Sequence, residues 1–154
     1  MKNIALALLT SLALGLFALP ATAHDDINPA SKKVAGPNGG RVLTGTTPRA
    51  EFFVTGDRRV QITFLNGHGE AVAPAGQAVV VTAGDRAAPT RLTFVASGNT
   101  LVSDGTLPAG NLVPTVVQIT PAPGATTVTS KFNVNLSTCG ECQHAEYACT
   151  CEGH

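Results

Sequence analysis

Short alternating segments, separated by turn residues, occupy most of this chain between Arg41 and Ser137. Glycine, proline, asparagine and aspartate interrupt the pattern about every eight to twelve residues, and no window keeps a helical period for long. The clearest alternation places three apolar side chains against three polar ones: Phe132, Val134 and Leu136 against Lys131, Asn133 and Asn135. A period of two puts the apolar side chains on one face of a strand. The chain is therefore predicted to be all-β, with one core face and one wet face per strand.

About seven or eight strands are predicted, at 41–43, 50–55, 59–64, 77–82, 91–96, 100–103, 115–120 and 129–136. Gly56-Asp57 stands between the second and third of them and predicts a hairpin with a tight primed turn. This number of short strands resembles an immunoglobulin-like or fibronectin-type β-sandwich. A closed small barrel is the alternative.

The N-terminus predicts export. Met1-Lys2-Asn3 is followed by an apolar run, and Pro20-Ala21-Thr22-Ala23 has the small-residue pattern that signal peptidases cut. The run falls short of the roughly 20 residues that a spanning helix needs, which disfavours a membrane anchor. We expect a cleaved signal peptide at 1–23 and a periplasmic or secreted mature chain with no transmembrane segment. A flexible segment, 24–37, then precedes a single domain at 38–137.

Composition disfavours several functions. Lys and Arg together number 10, as do Asp and Glu, so there is no basic excess to bind nucleic acid. The chain has no Trp, which disfavours a carbohydrate-stacking platform. No nucleophile elbow, phosphate loop or His-Glu-x-x-His motif is found, so an enzyme is not predicted. The carboxylates Glu51, Asp57, Glu70 and Asp104 are expected to solvate strands and turns.

All four cysteines fall in the last sixteen residues, within a predicted tail at 138–154 that contains two of the four histidines. Thiolate and imidazole are the donors that zinc and copper(I) prefer. The tail also carries Glu141, Glu146 and Glu152 but no Lys or Arg, so its charge attracts a cation. The predicted metal ligands are Cys139, Cys142, His144, Cys149, Cys151 and His154. The tail has no evident apolar face, so it is expected to be flexible or ordered by its metal.

Export leaves a second interpretation of the cysteines open, because thiols in an oxidising compartment tend to pair. Four cysteines allow three pairings, among which sequence cannot choose. A Cys149–Cys151 bridge would close a strained small ring. The alternative function is thus a structural or adhesive envelope module with disulfide-bonded terminal cysteines. A thiol-disulfide oxidoreductase lacks the βαβ context that Cys-x-x-Cys normally needs.

A secondary metal site is predicted at His24, which becomes the N-terminal residue if the signal is cut after Ala23. Secreted copper carriers and copper-dependent polysaccharide oxygenases use an N-terminal histidine to chelate copper(II), and the resemblance covers this one residue and the fold class. His68, in the Asn66-Gly67-His68-Gly69 turn, is the histidine within the domain that could assist it.

Two further resemblances point to metals. Gly36-Pro37-Asn38-Gly39-Gly40-Arg41 resembles a Gly-Pro-His-Gly-Gly-Arg stretch of heavy-metal efflux adaptor subunits, although Asn38 replaces the histidine and a simple turn explains the same residues. The tail resembles the Cys-x-x-Cys and Cys-x-Cys units of metallothioneins. These resemblances imply an exported protein that captures zinc or copper for sequestration, delivery or sensing. A metal-efflux or envelope protein is the expected protein partner.

Overall fold

The computed structural model describes residues 35–151. The predicted signal peptide, His24 and His154 lie outside this range. Within it, the chain forms ten strands and one short 3-10 helix, Glu146–Ala148. The strands are β1 (Arg41–Leu43), β2 (Arg49–Val54), β3 (Arg59–Leu65), β4 (Ala71–Val72), β5 (Ala78–Ala83), β6 (Thr90–Leu92), β7 (Phe94–Ser97), β8 (Thr100–Thr106), β9 (Leu112–Thr120) and β10 (Val128–Asn135).

Two antiparallel sheets form a β-sandwich, which confirms the predicted all-β class. One sheet has six strands in the order β1-β2-β3-β8-β7, with β4 also paired to β3. The other has four strands in the order β10-β9-β5-β6. Each contributes apolar side chains to a common core, which includes Phe52, Val60, Ile62, Phe64, Val79, Val81, Leu92, Leu101, Val113, Val117, Ile119 and Val134.

Alternation along the strands accounts for this core. In β9, Val113, Thr115, Val117 and Ile119 are all buried, while the residues between them are exposed or half-buried. Because successive side chains of a strand point to opposite faces, a run of every second residue fills one side only. In β10, Val134 is fully buried and its neighbours on the same face, Phe132 and Leu136, pack partly buried against the core.

The strand predicted at 91–96 is two strands in two different sheets, β6 and β7. The chain crosses at Thr93, whose backbone N–H and hydroxyl both donate to the Asp104 carboxylate at 3.0 and 2.7 Å. The Asp104 N–H donates back to the Thr93 carbonyl at 2.9 Å. Two of these bonds pair the N–H and the carbonyl of Thr93 where the ladder is interrupted. The split, together with the two-residue β4, raises the strand count above the predicted seven or eight.

The β2–β3 hairpin ends in a wider turn than the predicted one. The Arg58 N–H donates to the Thr55 carbonyl at 2.9 Å, and Arg58, not Gly56, has the positive φ of 65°. The Arg58 guanidinium donates to the carbonyl oxygens of Pro108 and Gly110. These bonds hold a residue with a Cβ in a backbone region that it otherwise disfavours.

At one edge of the sandwich, β1 and β10 bring the two sheets together. The Arg41 guanidinium lies 4.7 Å from the centroid of the Phe132 ring, a cation–π contact. Phe132 in turn meets Phe52 edge to face, with ring centroids 5.2 Å apart. The segment after β10 docks at this edge. No helix in the part of the chain described here is long and apolar enough to cross a membrane.

Candidate metal centre

The segment after β10 folds into a tight loop that begins with Cys139. Thr138 and Ala145 form an antiparallel bridge, and the Cys139 N–H donates to the His144 carbonyl at 2.8 Å. The Gln143 N–H closes the loop on the Cys139 carbonyl at 3.1 Å, with Gln143 in a left-handed conformation at φ 61°. Cys139 and Cys142 are therefore held in one small hydrogen-bonded turn.

Tyr147 fastens this segment to the sandwich. It lies in the 3-10 helix that follows the loop, and its side chain is only 4 % exposed. The Tyr147 ring meets Phe52 edge to face at 5.9 Å between centroids, and its hydroxyl oxygen accepts a hydrogen bond from the Val54 N–H at 3.0 Å. Ala148 beside it is fully buried. The expectation that this tail has no apolar face is wrong, because one helical turn puts these two side chains into the core.

The four cysteine sulfurs form a single cluster. Cys149 Sγ lies 3.4 Å from Cys139 Sγ and 3.7 Å from Cys142 Sγ, and the Cys139 and Cys151 sulfurs are 3.9 Å apart. All four lie within 4.8 Å of one another, and none is in a disulfide. Four sulfurs at about 2.3 Å from a zinc ion have tetrahedral edges of about 3.8 Å. The donor set and its spacing therefore fit one thiophilic metal ion.

Backbone N–H groups point at the sulfurs and favour their thiolate forms. The Cys151 N–H donates to Cys149 Sγ at 3.4 Å. The backbone N–H of His144, with help from that of Thr150, lowers the pKa of Cys142 from 9.0 to about 6. Hydrogen bonds to a charged form stabilise that form, so these N–H groups favour the thiolate of Cys142.

Cys149 and Cys151 have pKa values above the ordinary value for cysteine. A hydrogen bond to the Glu141 carboxylate, together with Cys149, raises the pKa of Cys151. Burial raises the pKa of Cys149, because the charged form loses its hydration. These two thiols must therefore give up protons before they can ligate a metal.

The two histidines within residues 35–151, His68 and His144, take no part in this cluster. The His144 imidazole lies against the Gly39 turn, where a Cβ on Gly39 would stand 3.4 Å from its Nδ1 atom. His144 serves the cluster through its main chain, which bonds to Cys139 and Cys142. His68 is exposed in the turn between β3 and β4. The structure thus brings together the four predicted cysteines and leaves His144 outside the group.

Sequence reasoning missed a buried carboxyl group beneath the Gly-Pro-Asn-Gly-Gly stretch. Glu51 is 0 % exposed, and its Oε1 accepts hydrogen bonds from the backbone N–H groups of Asn38 and Gly40, each at 2.8 Å. Its Oε2 accepts one from Asn38 Nδ2 at 2.7 Å. We call residues 36–40 and Glu51 the Glu51 clasp. The expectation that Glu51 is solvated is wrong, because the clasp covers the outer face of β2.

The close packing of the clasp explains why position 40 is a glycine, and it predicts that a larger residue there destabilises the protein. A Cβ on Gly40 would lie 2.4 Å from the Phe52 carbonyl oxygen, so Gly40→Ala forces the backbone to move. We expect a loss of roughly 1–3 kcal/mol in the free energy of unfolding, measured by urea denaturation. Gly56→Ala is the matched control, since a Cβ there meets nothing within 4 Å. Equal stability of the two variants would contradict the role given to the clasp.

The clasp also touches the cysteine segment. Asn38 and Gly39 of the clasp line an open cavity of about 550 Å³ together with Gln143, His144 and Tyr147. This cavity is therefore lined in part by residues near both ends of the described chain.

Comparison of the chain with protein-family models, with curated proteins and with solved structures found no match.

Proposed function

We propose that this protein is an exported metal-binding protein that captures one thiophilic ion through Cys139, Cys142, Cys149 and Cys151. The observation that carries the proposal is the placement of all four sulfurs within 4.8 Å of one another. Four cysteines close together with free thiols are an unusual arrangement in an exported chain unless something binds them.

Zinc is the ion we favour. A tetrahedral set of four sulfurs is typical of zinc. Copper(I), the other ion predicted from the sequence, also prefers sulfur ligands but does not need four of them. Residues 138–151 contain no Lys or Arg. The negative charge of several thiolates is therefore balanced by the cation and by backbone N–H groups. The role is binding, for sequestration, delivery or sensing, and not catalysis.

A single intrinsic fluorophore makes the proposal testable. Tyr147 is the one tyrosine, and the chain has no tryptophan. Mature protein, purified without oxygen, is titrated with zinc or copper(I) while tyrosine emission, bound metal and free thiols are measured. One equivalent of metal, with all four thiols protected from alkylation and a change in Tyr147 emission that saturates at the same point, is expected. Failure to retain metal after desalting would overturn the proposal.

The second candidate is a structural or adhesive envelope module with disulfides. The proximity of the Cys139 and Cys149 sulfurs, the closest pair at 3.4 Å, favours it, since a small movement would join them. The mass of protein taken directly from the exporting cell distinguishes the two. A mass lower by four hydrogen atoms, for the four cysteines, with no metal uptake after mild reduction, supports the module.

Metal uptake is expected to release at least two protons at about pH 7.5, because the pKa values of Cys149 and Cys151 are raised above the ordinary value for cysteine while that of Cys142 is lowered. Below about pH 6, where Cys142 also protonates, a further proton is released and apparent affinity falls more steeply with pH. A pH indicator in weakly buffered solution measures the release. Binding that displaces no protons would show that the thiols are not the ligands.

A further inference from the structure

The cysteine cluster is exposed on one side only. Cys139 is 2 % exposed and Cys149 is fully buried, whereas Cys142 and Cys151 are partly open to solvent. Each pair of neighbouring cysteines along the chain thus contributes one inner and one outer sulfur. A site enclosed on all sides would have no sulfur open to solvent. We call Cys142 and Cys151 the outer pair.

The inner pair is held more firmly than the outer pair. Cys149 directly follows Tyr147 and Ala148, which are buried in the sandwich core. Cys139 is fixed through both its N–H and its carbonyl, to His144 and Gln143. The inner sulfurs can therefore keep a cation in place while an outer sulfur is replaced, since their positions depend on the core and not on the cation alone.

The rim beside the outer pair is acidic. Glu141 is exposed and directly precedes Cys142 in the chain. No Lys or Arg lies in 138–151 to offset its charge. A positively charged surface is the complementary one.

We propose that the bound metal is cargo, an inference that rests on the proposed function. The metal passes by direct ligand exchange at the outer pair to an acceptor protein, whose cysteine thiol is surrounded by basic residues. In the exchange, a metal–sulfur bond to the acceptor cysteine forms as the bond to Cys142 breaks. The acceptor thiol gives its proton to solvent as its sulfur binds the metal. No oxidation or reduction is involved.

The test uses zinc-loaded mature protein and two synthetic acceptor peptides, each with the same Cys-x-x-Cys unit, one flanked by lysines and the other by glutamates. The expected transfer rate rises in proportion to acceptor concentration, because the acceptor takes part in the slow step. The lysine peptide is expected to be faster by roughly threefold to tenfold, and its advantage shrinks as salt is added. A rate that does not depend on acceptor concentration would overturn the inference.

Charge reversal on the rim sharpens the test. Glu141→Lys is expected to remove or invert the preference for the lysine peptide. Glu70→Lys is the matched control, because Glu70 is an exposed carboxylate in the β3–β4 turn. This turn follows one end of β3, whereas Val54, which bonds to Tyr147, pairs with the other end. An unchanged preference in Glu141→Lys would refute the basic acceptor. If the parent protein takes up no zinc, the proposed function itself fails, which is a distinct result.

Discussion

Replacing the inner cysteines together, Cys139→Ser with Cys149→Ser, is expected to lower metal affinity by more than about a hundredfold. Serine hydroxyls are poor ligands for soft cations, and the two remaining sulfurs cannot complete a tetrahedral shell. Competition with a chromophoric zinc chelator under nitrogen measures the loss. Far-UV circular dichroism shows whether the variant keeps its β-sheet.

Two companion variants make this result interpretable. Cys142→Ser with Cys151→Ser removes the same number of thiols at partly exposed positions, where serine can reach water, and is also expected to lose tight binding. His144→Ala is expected to keep one equivalent of metal, since its imidazole lies outside the sulfur cluster. Full binding by both cysteine doubles, or loss of binding in His144→Ala alone, would contradict the ligand set.

Tyr147→Ala is expected to destabilise the protein by about 3–5 kcal/mol, as large-to-small substitutions of buried aromatic residues do. The ring fills space beside Phe52, and its hydroxyl is the acceptor for the Val54 N–H. Urea unfolding followed by circular dichroism measures the change. Tyr147→Phe keeps the ring and is expected to lose only about 1–2 kcal/mol, because the Val54 N–H then lacks its partner.

The same contacts bear on truncation. Composition alone predicts that a chain ending at Ser137 folds with near-parental stability, because the tail is rich in Cys, Glu and His and poor in apolar groups. Because Tyr147 and Ala148 are buried, we expect this truncated chain to lose about as much free energy of unfolding as Tyr147→Ala does. A truncated chain as stable as the parent would show that the segment contributes nothing to the sandwich.

Local patterns predicted the strands well because a strand's faces follow from a period of two. Leu112–Thr120 and Val128–Asn135 are the clearest cases, because their inward residues are less exposed than the residues between them. The switch of sheets at Thr93 was not predictable in this way. It depends on a bond between Thr93 and Asp104, eleven residues apart, which no local periodicity records.

Glu51 illustrates the same limit. In β2 it alternates with the core residues Ala50 and Phe52, so the pattern assigns it to the outer, wet face. It is buried because a separate segment, 36–40, folds over that face and supplies three N–H donors. Burial of an outward-facing residue is decided by what packs on it, which the strand itself does not encode.

The β class and the set of sulfur donors follow from the amino-acid sequence, because side-chain alternation and thiol chemistry are local properties. Only the tertiary structure decided that the four sulfurs meet and that His144 lies outside them. It also decided that Cys139 and Cys149 face inward, since Tyr147 reaches Phe52 and Val54, more than ninety residues earlier, and anchors the segment. Such contacts depend on how distant segments pack together, and neither composition nor local residue spacing specifies that packing.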